Sequence, residues 1–117
     1  MSIGLRKQQK KSRRTERLRC PGHLSWIRRT FRCIVPGCER MPIEAAHWRL
    51  GAHAPMARKP DDDRAVPACA EHHKEAHRIG EASFANKYQL DIEYIIADLR
   101  RQSEPLRRYL SKQRNAA

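Results

Sequence analysis

Four residues constrain this chain more than any hydrophobic pattern in it: Cys33, Cys38, Cys69 and His72. Cys33 and Cys38 form a Cys-x4-Cys pair, with Pro36 and Gly37 turning the backbone between the thiolates. Cys69 and His72 form a Cys-x2-His pair where a short strand-like stretch runs into a helical one. A structural zinc takes four thiolate or imidazole ligands in a tetrahedron, typically as two half-sites from separate segments. Together the pairs supply a closed Cys3His set, which predicts structural Zn2+. The alternative is buried free cysteines, which pack as small hydrophobes. Cys20 is left over and is expected to be a free thiol; a metal contribution from Cys20 and His23 is the alternative reading there.

A chain of 117 residues allows one small domain with tails. A core of that size is marginal, so a metal staple is useful. No apolar stretch approaches the roughly 20 residues needed to cross a bilayer. The N-terminus is basic with no apolar region after it, unlike a secretory signal. A cytoplasmic protein is therefore expected, where cysteines serve as metal ligands or free thiols more often than as disulfides.

The formal net charge is +12, from 25 Lys and Arg against 13 Asp and Glu. A field of that sign favours polyanions, meaning nucleic acid before an anionic membrane face. Eight of the basic residues fall between Leu5 and Arg19, with a single acid, Glu16. That run reads either as a solvated tail or as an arm that grips phosphates.

Cys69 to His77 reads "CAEHHKEAH" and holds three of the six histidines. His73 and His77 are four apart, so on a helix they project from one face. His72 and His73 point about 100° apart around the same helix, so neighbours can serve two different sites. The zinc-protease motif needs Glu directly after the first histidine, and Lys74 stands there instead. Two histidines leave a divalent ion with open positions, which marks a catalytic site more than a structural one.

Around these residues the pattern predicts a helix carrying Leu24, Ile27 and Phe31, with Arg28, Arg29 and Arg32 toward another side. A short strand ends near His47, and a loop spans Gly51 to Asp63. "RAVPAC" predicts a second short strand, broken by Pro67, and Ala70 to Ile79 predicts a helix stopped at Gly80. One or two helices follow. Phe84 with Tyr88, then Leu90, Tyr94, Ile95 and Leu99, are expected to face the core, as is Trp48. Pro105 is expected to interrupt before a last basic helix, Leu106 to Gln113. The predicted organisation is a basic N-terminal arm (1–20), a central domain (21–90) and C-terminal basic helices packing on it (91–117).

The order of these pieces, a Cys-x4-Cys knuckle, a strand ending in "AAH", a loop with "KPDDD", then "VPACAEHHKEAH", resembles the HNH endonuclease superfamily. The resemblance runs from about His23 to Tyr88. It is nearest to small phage and prophage nucleases, a group that includes the RecA-dependent recombination-enhancement nucleases. It implies an α+β fold: a zinc-stapled ββα-metal core with flanking helices and basic terminal arms. It implies hydrolysis of DNA phosphodiesters to 5′-phosphate and 3′-hydroxyl ends in a bacterial or phage-infected cell. A recombinase or other DNA-processing protein is an implied partner. His47 matches the general base, His73 and His77 match ligands of a catalytic Mg2+, Mn2+ or Zn2+, and Cys33, Cys38, Cys69 and His72 match the structural zinc set. Members usually carry an Asp or His ligand just before the base; Ala46 stands there, and either Glu44 substitutes from the same strand face or the ion uses two protein ligands plus water. Members also carry an Asn in the second strand region. Here Asp61, Asp62 and Asp63 occupy that neighbourhood, and one of them is expected to orient His47. Arg49, Lys59 and Arg64 flank the expected cleft and, with Arg28, Arg29 and Arg32, are the expected phosphate contacts. Two other readings compete: a non-catalytic zinc-stabilised module that binds DNA or RNA, and a ribosome-associated or RNA-packaging basic protein.

Overall fold

The computed structural model describes residues 17–52 and 59–116. Most of the basic arm and the middle of the Gly51–Asp63 loop lie outside the described residues. Among those described, the elements are α1 (Pro21–Thr30), β1 (Ile43–His47), a 3-10 turn (Asp62–Arg64), β2 (Ala65–Cys69), α2 (Ala70–Ile79), α3 (Glu81–Lys87), α4 (Ile92–Gln102) and α5 (Glu104–Ala116). The fold is α+β: among the described residues, five helices surround one two-stranded antiparallel sheet.

The sheet is short: turns bound β1, and β2 runs from the 3-10 turn straight into α2. Ile43 pairs with Cys69 and His47 with Ala65. β2 is not broken at Pro67; it runs straight through that residue, which lies opposite Ala45. The carbonyl of Pro67 accepts from the Ile34 N–H on the far side. Its backbone polar groups therefore point away from β1, and the missing N–H removes no ladder bond.

α2 begins at Cys69, whose Sγ accepts from the His72 backbone N–H, and ends at Gly80. Gly80 has φ 95°, a conformation other residues avoid, so the chain turns there and α3 starts at once. A second break at Tyr88–Asp91 separates α3 from α4, with Asp91 capping the Tyr94 N–H. The expected break before the last helix falls at Ser103, and Pro105 itself lies in the first turn of α5, where a missing N–H is harmless. The Ser103 Oγ accepts the Leu106 N–H at that end.

One core joins α1 to α4 and both strands. Ile27 of α1, Ala46 of β1, Trp48 just after it, Val66 of β2, Phe84 of α3 and Ile92, Ile96 and Leu99 of α4 pack together. Each fully buried side chain of the larger kinds contributes about 1.5–3 kcal/mol. The α4 face is turned from the one expected, although Leu99 faces the core as expected and Leu90 and Ile95 pack partly buried against it. Ile92, Ile96 and Leu99 turn inward, and Tyr94 is 65% exposed. The Asp91 cap starts the helix where the i, i+4, i+7 stripe begins at Ile92.

Candidate metal centre and histidine cleft

The Cys-x4-Cys knuckle, the end of β2 and the first turn of α2 converge. The ligand atoms of Cys33, Cys38, Cys69 and His72 all lie within 4.8 Å of one another. His72 Nδ1 is 3.3 Å from both Cys33 Sγ and Cys69 Sγ, and the Cys38 and Cys69 sulfurs are 3.9 Å apart. Zinc bond lengths in a tetrahedron put sulfurs about 3.8 Å apart and sulfur about 3.6 Å from nitrogen. A disulfide needs about 2.05 Å, and all four cysteines are free thiols. The four residues thus form a set that can hold a metal ion such as zinc.

Their electrostatics suit thiolate chemistry unevenly. Burial pushes the Cys33 thiol up, whereas the Arg40 backbone N–H pulls the Cys38 thiol down. Phe84 and Tyr88 stand edge-on to the His72 ring at 6.3 and 5.5 Å between centroids. The Tyr88 hydroxyl donates to Glu75 Oε1 at 2.6 Å, which holds this wall in place. Cys20 is buried and is not part of the cluster; its thiol is directed at the Pro105 carbonyl 3.8 Å off. His23 is fully buried; its Nδ1 is 2.7 Å from Ser103 Oγ and its Nε2 has no partner among the described residues.

On the other face of α2 lies an open cleft of about 610 Å³. Its lining includes His47, His73, His77, Arg28, Arg49 and Lys59. The histidine at the end of β1 and the two on α2 therefore open onto common space. The His73 and His77 rings are 4.9 Å apart between centroids. Glu44 Oε1 is 2.6 Å from His73 Nδ1, so its carboxylate holds that ring and leaves His73 Nε2 for another partner. Glu44, His73 and His77 do not form a second compact donor set: among the described residues, the group of three or more donors close enough to hold a metal is the Cys3His one. Ala46, at the position where the resemblance expects a further ligand, lines a small void of about 20 Å³ with His73 and His77.

His47 Nε2 lies 2.9 Å from Asp62 Oδ1. Asp62 and Asp63 belong to the acidic run of the predicted loop, and both are buried. Each has a cation: Arg17 lies 2.8 Å from Asp62 and Arg100 lies 3.2 Å from Asp63. Burial alone would raise the Asp62 pKa, but hydrogen bonds from His47, the Cys20 N–H and Arg17 overcome it and hold the carboxyl below its usual range. Burial dominates at Asp63 and pushes its carboxyl up.

The expected phosphate contacts divide. Arg28, Arg49 and Lys59 line the cleft. Arg64 instead braces the chain after β1. Its guanidinium bonds Glu93 at 2.6 and 3.1 Å and the carbonyls of Trp48 and Leu50. Arg29 donates to Ser25 and Arg32 lies 4.0 Å from Glu39, both at exposed positions on or after α1. Glu81 is a cleft residue the sequence pattern did not single out. Its carboxylate accepts the N–H groups of Arg49 and Leu50 and fixes the chain just after β1. Arg17 is another residue the pattern missed; nothing in its sequence neighbourhood distinguishes it from the other basic residues of the arm. Among the described residues no helix is long and apolar enough to cross a membrane. Compared with protein-family models, with curated proteins and with solved structures, the chain has no match.

Proposed function

We propose that the protein is a metal-dependent endonuclease of the HNH type that hydrolyses phosphodiester bonds in DNA. The observation that carries this reading is the shared cleft: His47, His73 and His77 open onto one space edged by Arg28, Arg49 and Lys59. The antiparallel β1–β2 pair running directly into α2 supports the ββα-metal arrangement that the sequence resembles.

His47 takes the proton of the attacking water, a role imidazole fills near neutral pH. His73, through Nε2, and His77 hold a divalent ion, with Glu44 keeping the His73 ring oriented. When bound, such an ion supplies Lewis-acid stabilisation of negative charge on the phosphate and the leaving 3′ oxygen. Arg28, Arg49 and Lys59 hold the flanking phosphates, and the net charge of +12 adds sequence-independent affinity. The Cys3His centre is structural in this reading and fixes the start of α2, which carries both ion ligands.

The second reading is a zinc-stabilised nucleic-acid-binding module without catalysis. It is favoured by the donors at His73 and His77, which are not gathered into a compact set as the Cys3His donors are. A plasmid-nicking assay with Mg2+, Mn2+ or Zn2+ separates the two. The nuclease reading expects metal-dependent nicking, lowered about 10²–10⁴-fold by His47→Ala with tightly held zinc unchanged. Equal nicking by the His47→Ala protein, or none by the natural one with any of these ions, leaves the binding module.

A further inference from the structure

The Asp62 carboxylate is 3% exposed and accepts three hydrogen bonds. Oδ1 faces both His47 Nε2 at 2.9 Å and Arg17 Nη1 at 2.8 Å; Oδ2 accepts the Cys20 N–H at 2.8 Å. The segment that supplies two of these donors is itself tied to the loop before β2. The Leu18 N–H donates to Asp61 Oδ1, the Asp62 N–H donates to the Leu18 carbonyl, and Arg17 also reaches the Pro60 carbonyl. Residues Arg17 to Cys20, which the sequence assigns to a tail, thus form part of the wall behind His47.

An ionised carboxylate only accepts hydrogen bonds, so the shared proton of the His47–Asp62 contact sits on the imidazole nitrogen. Among the described residues His47 Nδ1 has no hydrogen-bond partner. We propose that Asp62 and Arg17 are positioning residues for His47: Asp62 keeps the proton on Nε2 and leaves Nδ1 as the basic atom, and Arg17 keeps Asp62 ionised and in place. The assignment rests on His47 being the base of the proposed reaction. When Nδ1 takes the proton from water, the imidazolium is stabilised by Asp62. The Arg17 guanidinium on the same carboxylate oxygen keeps that proton from passing on to Asp62. A base held in the wrong tautomer can cost up to about 10⁴-fold in rate.

The test joins ¹⁵N NMR of the His47 ring with steady-state nicking. Both use the full chain with its structural metal, and the NMR is recorded at alkaline pH where an imidazole is neutral. The natural protein is expected to show the Nε2–H tautomer. Asp62→Asn and Arg17→Gln are expected to lose that preference and to lower kcat at least about tenfold with KM changed less than about twofold. Arg17→Lys is expected to recover most of the loss. Arg101→Gln, which removes an equal charge on α4, is expected to leave tautomer and kcat as they were. An Nδ1–H tautomer in the natural protein overturns the proposal, and so does Asp62→Asn with unchanged tautomer and kcat. If Asp62→Asn fails to fold, the natural protein's tautomer and the Arg17 variants decide. If the natural protein cuts nothing, the nuclease reading fails while the NMR still upholds or overturns the His47–Asp62–Arg17 arrangement.

Discussion

The two faces of α2 present opposite kinds of site. On one, the donors of Cys33, Cys38, Cys69 and His72 already lie within tetrahedral reach, backed by Phe84 and Tyr88. On the other, His73 and His77 stand over an open cleft, with His47 across it and carboxylates holding two of the three rings. One ten-residue helix separates them, and adjacent residues, His72 and His73, divide between the sides. A closed donor set commits its ligands to holding the fold. An open one keeps positions for water and substrate and depends on outside residues to aim its rings. The difference implies that the two sites fail differently when perturbed.

The largest effect is expected at the closed site. Structural zinc in small domains carries apparent binding energies of about 10–16 kcal/mol, comparable with the whole stability of such a fold. Cys69→Ser removes a ligand at the junction of β2 and α2, so the sheet end, the α2 start and both of its faces go together. Cooperative thermal unfolding is expected to disappear and one zinc equivalent to be lost, read by calorimetry and metal analysis. His73→Ala is expected to retain the zinc and the melting transition. If both substitutions melt alike, the two faces are not separate sites.

Acid distinguishes them next. Falling pH weakens any zinc site, because protons compete for the ligands. His23, which is not part of the cluster, adds a second acid response on the buried side of α1. Burial lowers its pKa to about 4, outweighing Asp62, which raises it, and Arg100 lowers it further. The fold therefore holds His23 neutral where the unfolded chain, titrating near 6.5, takes up a proton. Its contribution is full above pH 6.5, declines as pH falls toward 4, and is lost below that. The depth of the decline is about 3 kcal/mol. His23→Gln cannot titrate, so its stability curve between those limits is expected to be flatter by that amount. The slope that remains in the variant combines the metal centre with carboxylates such as Asp62 that the fold holds ionised. Parallel curves for the two proteins would remove His23 as an acid-sensitive point.

Much of the closed site was legible in the sequence, because its ligands come in two short-range pairs whose spacing states the chemistry. The α2 boundaries were legible for the same reason: Gly80 and the Cys69 start are local signals. What the sequence hid is what long-range contacts decide. Arg17 and Asp62 are 45 positions apart, and no local pattern tells Asp62 from Asp61 or Asp63 as the partner of His47. Burial of two aspartates became visible only with Arg17 and Arg100 beside them. Pro67 read as a strand breaker because its pairing phase, opposite Ala45 with its carbonyl outward, is set by the partner strand and by Ile34. Arg64 read as a phosphate contact because Glu93, which holds it, lies far along the chain, on α4.

The smallest effect expected is also the one that tests why the open site is open. Ala46 is 4% exposed and shares a void of about 20 Å³ with His73 and His77. That space is large enough for one water molecule, and in the proposed nuclease reading it is where a third ligand is expected. Ala46→Asp introduces a carboxylate there. Without a divalent ion the variant is expected to melt below the natural protein, because a buried carboxylate lacks a partner. With Mn2+ its melting temperature is expected to rise more than that of the natural protein, reflecting roughly tenfold tighter binding. The Cys3His zinc content is expected to stay constant in both. A variant that Mn2+ does not rescue would mean that Ala46, His73 and His77 do not converge on one ion, and the cleft would then be better described as a binding surface than as a catalytic centre.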